Sequence, residues 1–393
     1  MTVSIVRGFL DEALAALPSA LPDAIALRHE IHADPRVGGD EHATTRLVAE
    51  RTGLVGEQVE EGLIARLGPA DGPAIALRAE LDALAIVEES DLPWRSTNGA
   101  AHLCGHDVHL AALSAVVRTL RTVGFPVPLL AVLQPREETL PCGAADLVGS
   151  AALRRHEVAA FLGVHLQPRI PDGAVAATAG PVNASADEFV VTVRGTAGHG
   201  AYPHLTHDPI VAAAAVITAL QHLVSRRSDP MSPTVLTVGR VRGGTSVNAV
   251  PATCELAGTI RAFDEHHRGE LHRLVVETAE AIARGHGCVA DVEIGRGEPV
   301  LDNDAALAGR VSAALRAGGW AERAVRSCGA DDFAFYGTRY PSLMVFAGVG
   351  DADPRLPGLH HPAFVPPDDA VGNVARIMLT AYASVAEDMG EGR

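Results

Sequence analysis

The sequence predicts an α/β protein: a mixed, largely parallel sheet flanked by helices, with an inserted ferredoxin-like α+β domain. Three observations predict it. Short, almost wholly apolar runs alternate with segments of helical periodicity along both ends of the chain. The middle of the chain instead alternates apolar with polar residues, as strands open on one face do. Finally, 393 residues is long for a single core and fits two domains.

The elements follow in order. Residues 9–34 and 40–53 have helical periodicity, separated by Pro35 and the Gly38-Gly39 pair. Ala74 to Ala79 reads as a buried strand with Glu80 and Asp82 at its end. Val108 to Val123 is an Ala- and Leu-rich helix stopped by Gly124 and Pro126. Val127 to Leu133, Ala159 to Val164 and Leu343 to Val349 are further apolar strands, followed by Glu137-Glu138, His165 and His360-His361 respectively. Between them, strands at Glu188–Thr196, Thr234–Val241, Thr253–Phe263 and Val289–Ile294 alternate with helices at Asp208–Arg226 and Glu265–Arg284. This β-α-β-β-α-β order is the ferredoxin-like unit. It places an inserted domain at 181–295 and a discontinuous, metal-binding domain at 1–180 and 296–393.

Composition narrows the function. Hydrophobic residues make up 47% and charged residues 20%, a globular profile. The formal net charge of −16 excludes a nucleic-acid partner, which needs clustered Lys and Arg. The five cysteines are an odd number without regular spacing, so reduced thiols and a cytoplasmic location are expected rather than a disulfide framework. Met1 to Leu10 lacks a basic start followed by an apolar run, and no uncharged apolar stretch reaches about 18 residues, so neither a signal peptide nor a membrane span is expected.

The chemistry is concentrated in His102-Leu103-Cys104-Gly105-His106-Asp107-Val108-His109 and in Gln134-Pro135-Arg136-Glu137-Glu138. Cys104 and His106 flank a glycine and are able to face one cation. Glu138, His165 and His360 add oxygen and nitrogen donors. Five mixed ligands exceed what one tetrahedral zinc with an open water position requires. They suit two divalent metals about 3.5–4 Å apart. Glu137 is then left to act as general base. Any one of these residues alone would be an ordinary surface or core group; their joint placement beyond strand ends points to a metal-dependent hydrolase. His102, His109 and Asp82 are candidates for orienting a ligand. His29, His32, His42, His222, His266, His267, His272 and His286 lie on mostly polar helical stretches and are expected at the surface, and Cys142 is expected to be structural.

The segments LRAELDAL (77–84), HLCGHDVHLAAL (102–113), LQPREE (133–138), GVHLQP (163–168), GTAGHGAYPH (195–204), GGTSVNAVP (243–251), GTIRAF (258–263), GADDFAFY (329–336) and LHHPAF (359–364) run in order over nearly the whole chain. In them the sequence resembles the M20 metallopeptidase superfamily, specifically its amidohydrolase branch of N-acyl-amino-acid, hippurate and indole-acetyl-amino-acid hydrolases. The resemblance implies Cys104, His106, Glu138, His165 and, of the C-terminal pair, His360 as metal ligands, with Glu137 as base. Zinc is the expected metal; manganese, cobalt and nickel are admitted. It further implies that the inserted domain is a lid and dimerisation domain, so a homodimer is expected. Within it His199 would help hold the substrate and the developing oxyanion, Asn248 would bind near the scissile carbonyl, and Arg261 would meet the substrate carboxylate. A strand-end salt bridge is the alternative for Arg261, a turn role the alternative for Asn248, and His204 is a weaker site candidate.

The chain departs from the family pattern at Glu80, where Asp is usual, at Val108 for Gly and at Arg136 for Ala. It also carries Thr139-Leu140-Pro141-Cys142 in place of a Gly-rich stretch. No implied ligand is lost, so these changes bear on the substrate more than on the metal. The expected activity is hydrolysis of N-acyl amino acids. The alternatives are a dipeptidase or aminopeptidase of the same superfamily, a deacetylase of other small amides, and a non-catalytic binding protein, against which the presence of Glu137 argues.

Overall fold

A computed structural model describes residues 2–350 and 357–391. Its contacts divide the chain into two compact units, one of residues 1–180, 302–325 and 332–393, the other of 181–301 and 326–331. The return to the first unit thus comes after Leu301 rather than at 296, and the short segment 326–331 groups with the inserted unit.

The first unit is built on an eight-stranded sheet in the order Glu57–Val59, Gly62–Leu67, Leu129–Gln134, Ala74–Glu80, Val158–Pro171, Ser342–Gly350, Ala174–Ala176, Ala321–Glu322. The four strands from Leu129–Gln134 to Ser342–Gly350 are mutually parallel. Towards the edges Gly62–Leu67 and Ala174–Ala176 run antiparallel to their inner neighbours. Every residue of Ala74–Glu80 and Leu129–Gln134 is buried. Parallel strands covered on both faces read as continuous apolar runs for this reason. The sheet is therefore mixed and largely parallel, flanked by helices, as expected.

Two details differ from the sequence reading. The helical stretch from residue 9 is broken into Thr2–Ala16, a short 3-10 turn Leu17–Ser19 and Leu21–Ala33, because Pro18 and Pro22 each stand in a first turn and lack the N–H needed to continue the preceding one. The strand expected to end at Val164 runs on from Val158 to Pro171, so His165 lies inside a strand and not beyond its end.

The helix His106–Val123 supplies much of the core, with Val108, Leu110, Leu113, Val116, Val117 and Leu120 at most 1% exposed. It starts at Gly105, whose φ of 86° lies in the left-handed region and whose missing Cβ would sit 2.7 Å from Leu166 Cδ1. That glycine lets the Cys104–His106 loop turn tightly against the sheet.

The second unit has a four-stranded antiparallel sheet ordered Thr234–Gly243, Thr253–Ala262, Asp187–Arg194, Val289–Arg296. Helices Pro209–His222 and Glu265–Gly285 pack on it, and Val191, Val193, Val216, Leu220, Leu256 and Leu271 fill the core between them. This is the β-α-β-β-α-β arrangement. The helical stretch Pro209–Arg227 is long and apolar enough, by length and composition, to cross a membrane, although no uncharged run of that length had stood out in the sequence. Its buried residues Ala212, Ala213, Val216 and Leu220 belong to this core.

Candidate metal centre

In the first unit the sheet, the start of the helix His106–Val123 and the neighbouring loops bring together the six residues singled out there. Cys104, His106 and His165 offer one ligand atom each, all within 4.8 Å of one another; so do Cys104, Glu138 and His360, and so do His106, Glu137 and Glu138. The first two groups share the thiol, and the third joins them through His106 and Glu138.

Each side chain is held from behind. Asp82, just past the strand Ala74–Glu80, accepts the His106 Nδ1 proton on its backbone carbonyl at 2.8 Å and the Glu138 N–H on Oδ2 at 2.8 Å. His165 donates Nδ1–H to the Leu166 carbonyl at 2.7 Å, which leaves Nε2 3.4 Å from the Cys104 sulfur. Both rings therefore present Nε2 to the cluster. His109 accepts the Leu166 N–H on Nε2 at 3.1 Å and donates Nδ1–H to Glu80 at 2.9 Å. Glu80, with its extra methylene relative to the family Asp, thus braces the backbone next to His165. His360, with a φ of 66°, reaches Glu138 Oε1 at 3.1 Å, and its N–H is bound to the Leu103 carbonyl, one residue before Cys104. His361 instead caps its own turn by accepting the Ala363 N–H.

The donor set fits a metal. Among the described residues His106 Nε2 is buried without a hydrogen-bond partner, and the Glu137 carboxylate lies 3.7 Å from it. Burial opposes a charge on His106, yet the hydrogen bond to Asp82 and the negative charges of Glu80, Asp82 and Glu138 raise its pKa to about 10. Burial, and then the carboxylates of Glu138 and Glu137, push the Cys104 thiol well above its usual range. Burial works against the Glu138 carboxylate too, but His360, His106 and Cys104 hold it below the usual range. The carboxylates around His106 and Cys104 place negative charge where a cation would offset it. Thiolate, imidazole and carboxylate together match a borderline-soft divalent ion.

Sequence reading missed one part of this region. His32 was expected at the surface, but it is fully buried, with Nδ1 3.0 Å from Asp107 Oδ2 and Nε2 3.1 Å from Glu88. Arg28, one helical turn earlier, donates to the same Asp107 oxygen at 3.0 Å. Despite burial, Arg28 and His32 hold the Asp107 carboxyl far below the ordinary range. The Arg28-xxx-His32 spacing on one helix face was the available signal. His29, also expected at the surface, is half-buried against Trp94 at 4.2 Å.

In the second unit His199 and Asn248 come together. His199 pairs with Ala249 across a two-residue ladder, and the Asn248 carbonyl accepts the Gly200 N–H at 2.7 Å. His199 is exposed and accepts the Ala201 N–H on Nδ1 at 3.0 Å, which leaves the ring proton of the neutral form on Nε2. Asn248 Oδ1 takes a hydrogen bond from Ser246 at 2.7 Å. Arg261 belongs to the separate four-stranded sheet, opposite Val235, and its charge partly offsets the burial that raises the Glu298 pKa. His272, another residue expected at the surface, is bound to Asp187 at 2.7 Å.

Fold, donor cluster and similarity to known proteins together define a metal-dependent hydrolase acting on amides. The sequence pattern of peptidase family M20/M25/M40 matches residues 76–383, and the chain belongs to that family. It is similar to an N-acetylcysteine deacetylase of Bacillus subtilis (strain 168), 34% identical over 88% of this chain and 92% of the relative. An N-acetyldiaminopimelate deacetylase of the same organism is 30% identical over 93% and 99% of the two chains. Among solved structures, the B. subtilis YXEP protein, described as a dinuclear metal-binding peptidase from the M20 family, superposes with a TM-score of 0.81 at 29% identity, over 95% of this chain and 99% of that one.

Proposed function

We propose that this enzyme hydrolyses the amide bond of N-acyl amino acids with two divalent cations held by Cys104, His106, Glu138, His165 and His360. The observation that supports the reading is the placement of the adjacent carboxylates. Glu138 turns to the Cys104 thiol and His360, whereas Glu137 stands beside them near His106. The donor set favours zinc, with manganese, cobalt and nickel as the other candidates. When bound, such a pair lowers the pKa of water and polarises a carbonyl.

The remaining steps belong to the chain's own groups. Glu137 takes the proton of the attacking water and returns it to the departing amine. His199, with its proton on Nε2, donates to the oxygen that gains charge, and Asn248 binds beside it. Arg261 grips the substrate carboxylate with its two-pronged donor geometry. The deacetylases to which the chain is similar act, by their names, on N-acetylated amino acids, which supports this substrate class. A homodimer formed through the inserted unit is part of the same reading. It is supported by Ile210, Val211, Val241 and Val247, large apolar residues of that unit that are exposed. Sedimentation as a monomer at micromolar concentration would remove it. Five free cysteines favour a cytoplasmic location, which fractionation of the producing cell would check.

The test is a hydrolysis screen of N-acetyl, N-benzoyl, long-chain acyl and indole-acetyl amino acids, with metal analysis of the same sample. Glu137→Gln is expected to lower turnover roughly 10²–10⁴-fold while metal content stays near that of the parent. Turnover at the parental rate would sink the assignment of the base. Turnover confined to peptides with a free α-amine would move the enzyme to the peptidase class.

A further inference from the structure

The residue before the catalytic carboxylate has an uncommon conformation. Arg136 has a φ of 51°, in the left-handed region that residues with a Cβ seldom enter. Its own side chain does not explain this, since the guanidinium points away to Asp146 at 2.6 Å. The backbone does: the Arg136 N–H donates to Glu41 Oε1 at 2.7 Å, and two residues on the Glu138 N–H donates to Asp82 Oδ2 at 2.8 Å. Glu137 thus lies between two amides, each held by a buried carboxylate.

Glu41 is fully buried. Its backbone stands at the start of the helix His42–Thr52, where its carbonyl accepts the Thr45 N–H at 2.9 Å. Its other carboxylate oxygen accepts the Gly39 N–H at 2.6 Å. Burial raises the pKa of this carboxyl, and it is bound by the amide of Gly39 in its own loop and by that of Arg136 in a distant turn. A rigid helix end is thereby joined to the turn that carries Glu137.

Resting on the assignment of Glu137 as the base, we propose that Glu41 is a positioning residue for it: its carboxylate holds Arg136 in the left-handed conformation that aims Glu137 at the reacting water. Asp82 already fixes the Glu138 end of the turn, so Glu41 acts on the base and not on the metal ligands.

This separation sets the experiment. Glu41→Gln keeps the shape of the side chain but turns one acceptor into a donor facing an amide N–H. It is expected to lower kcat at least tenfold, with KM and metal content close to those of the parent and a melting temperature lower by only a few degrees, as one buried donor then faces another. Hydrogen–deuterium exchange on the metal-free protein is expected to show the Arg136 amide losing protection. A second substitution distinguishes positioning from general damage. Glycine enters the left-handed region without a Cβ penalty. Arg136→Gly in the Glu41→Gln background is therefore expected to recover several-fold of the lost kcat, and Arg136→Ala is not. The proposal is overturned if Glu41→Gln keeps kcat within twofold, if activity falls in step with metal content, or if Gly rescues no better than Ala. If Glu41→Gln is insoluble, Glu41→Asp, whose shorter side chain fails to span both amides, carries the same comparison. Insolubility of both would assign Glu41 to folding alone and overturn the proposal. A Glu137→Gln variant that still turns over would sink the base assignment itself, whereas its loss alongside an unaffected Glu41→Gln would sink only the role of Glu41.

Discussion

Asp107 ties the helix that begins at His106 to the helix Leu21–Ala33 without itself belonging to the candidate metal cluster. It follows His106 in the first turn of the helix, where a negative charge is also favoured by the helix dipole. Its Oδ2 takes both Arg28 and His32, and all three side chains are fully buried. Asp107→Asn would leave the Arg28 guanidinium buried with much of its charge uncompensated. Breaking a buried pair from one side costs about 3–5 kcal/mol. We expect a loss of about 3 kcal/mol in a denaturant titration; a change below about 1 kcal/mol would show that Asp368, which Arg28 also reaches at 2.7 Å, suffices. The candidate ligands were legible as residue types, and so were Asp82 and His109 as groups that orient them. The Arg28–Asp107 pair was not, because its partners lie 79 residues apart.

The strand Asp187–Arg194 illustrates the same point at the level of an element. Its first residue, Asp187, is 1% exposed and accepts from Arg268 and His272 on the helix Glu265–Gly285. It also accepts the Gly297 N–H at 3.1 Å. Burial raises the pKa of its carboxyl, but Arg268 and His272 outweigh it, and the pKa in the folded protein lies below the ordinary carboxylate value. A depressed pKa adds stability at pH values above the unfolded-state value of about 3.9, and this is lost as the pH falls through the lower folded-state value. Asp187→Asn is therefore expected to melt earlier than the parent at pH 7. The gap should close as the pH drops below about 4. A gap that is constant from pH 7 to pH 3 would show that packing and not charge ties this strand to its helix. The periodicity of the strand and the helix was readable in the sequence; which polar residue would be buried at their junction was not.

Across the whole molecule, the candidate ligands come from four separate stretches of the first unit: Cys104 and His106 from one turn, Glu138 from the next strand end, His165 from a strand interior and His360 from the loop ahead of the C-terminal helix. A cation holding all of them binds the folded chain and has little affinity for the unfolded one. Such binding stabilises by about 2.7 kcal/mol when the free metal is at 100 times Kd. Chelation is therefore expected to lower the melting temperature, and added zinc or manganese to restore it. A melting temperature indifferent to chelator would mean that the cluster does not hold a metal in solution.

The sequence by itself determined the α/β class and the inserted β-α-β-β-α-β unit, and it singled out the candidate metal-binding side chains. These rest on local periodicity and on donor chemistry, which are properties of neighbouring residues. It also supported Glu137 and Glu138 as a pair with different tasks. Only the tertiary structure decided that His165 sits within a strand, that His32 is buried, and that Glu41 reaches the turn of Arg136. Each of these depends on a contact between residues far apart in the chain, and such contacts are set by how the sheet and helices pack, which no short stretch of residues specifies.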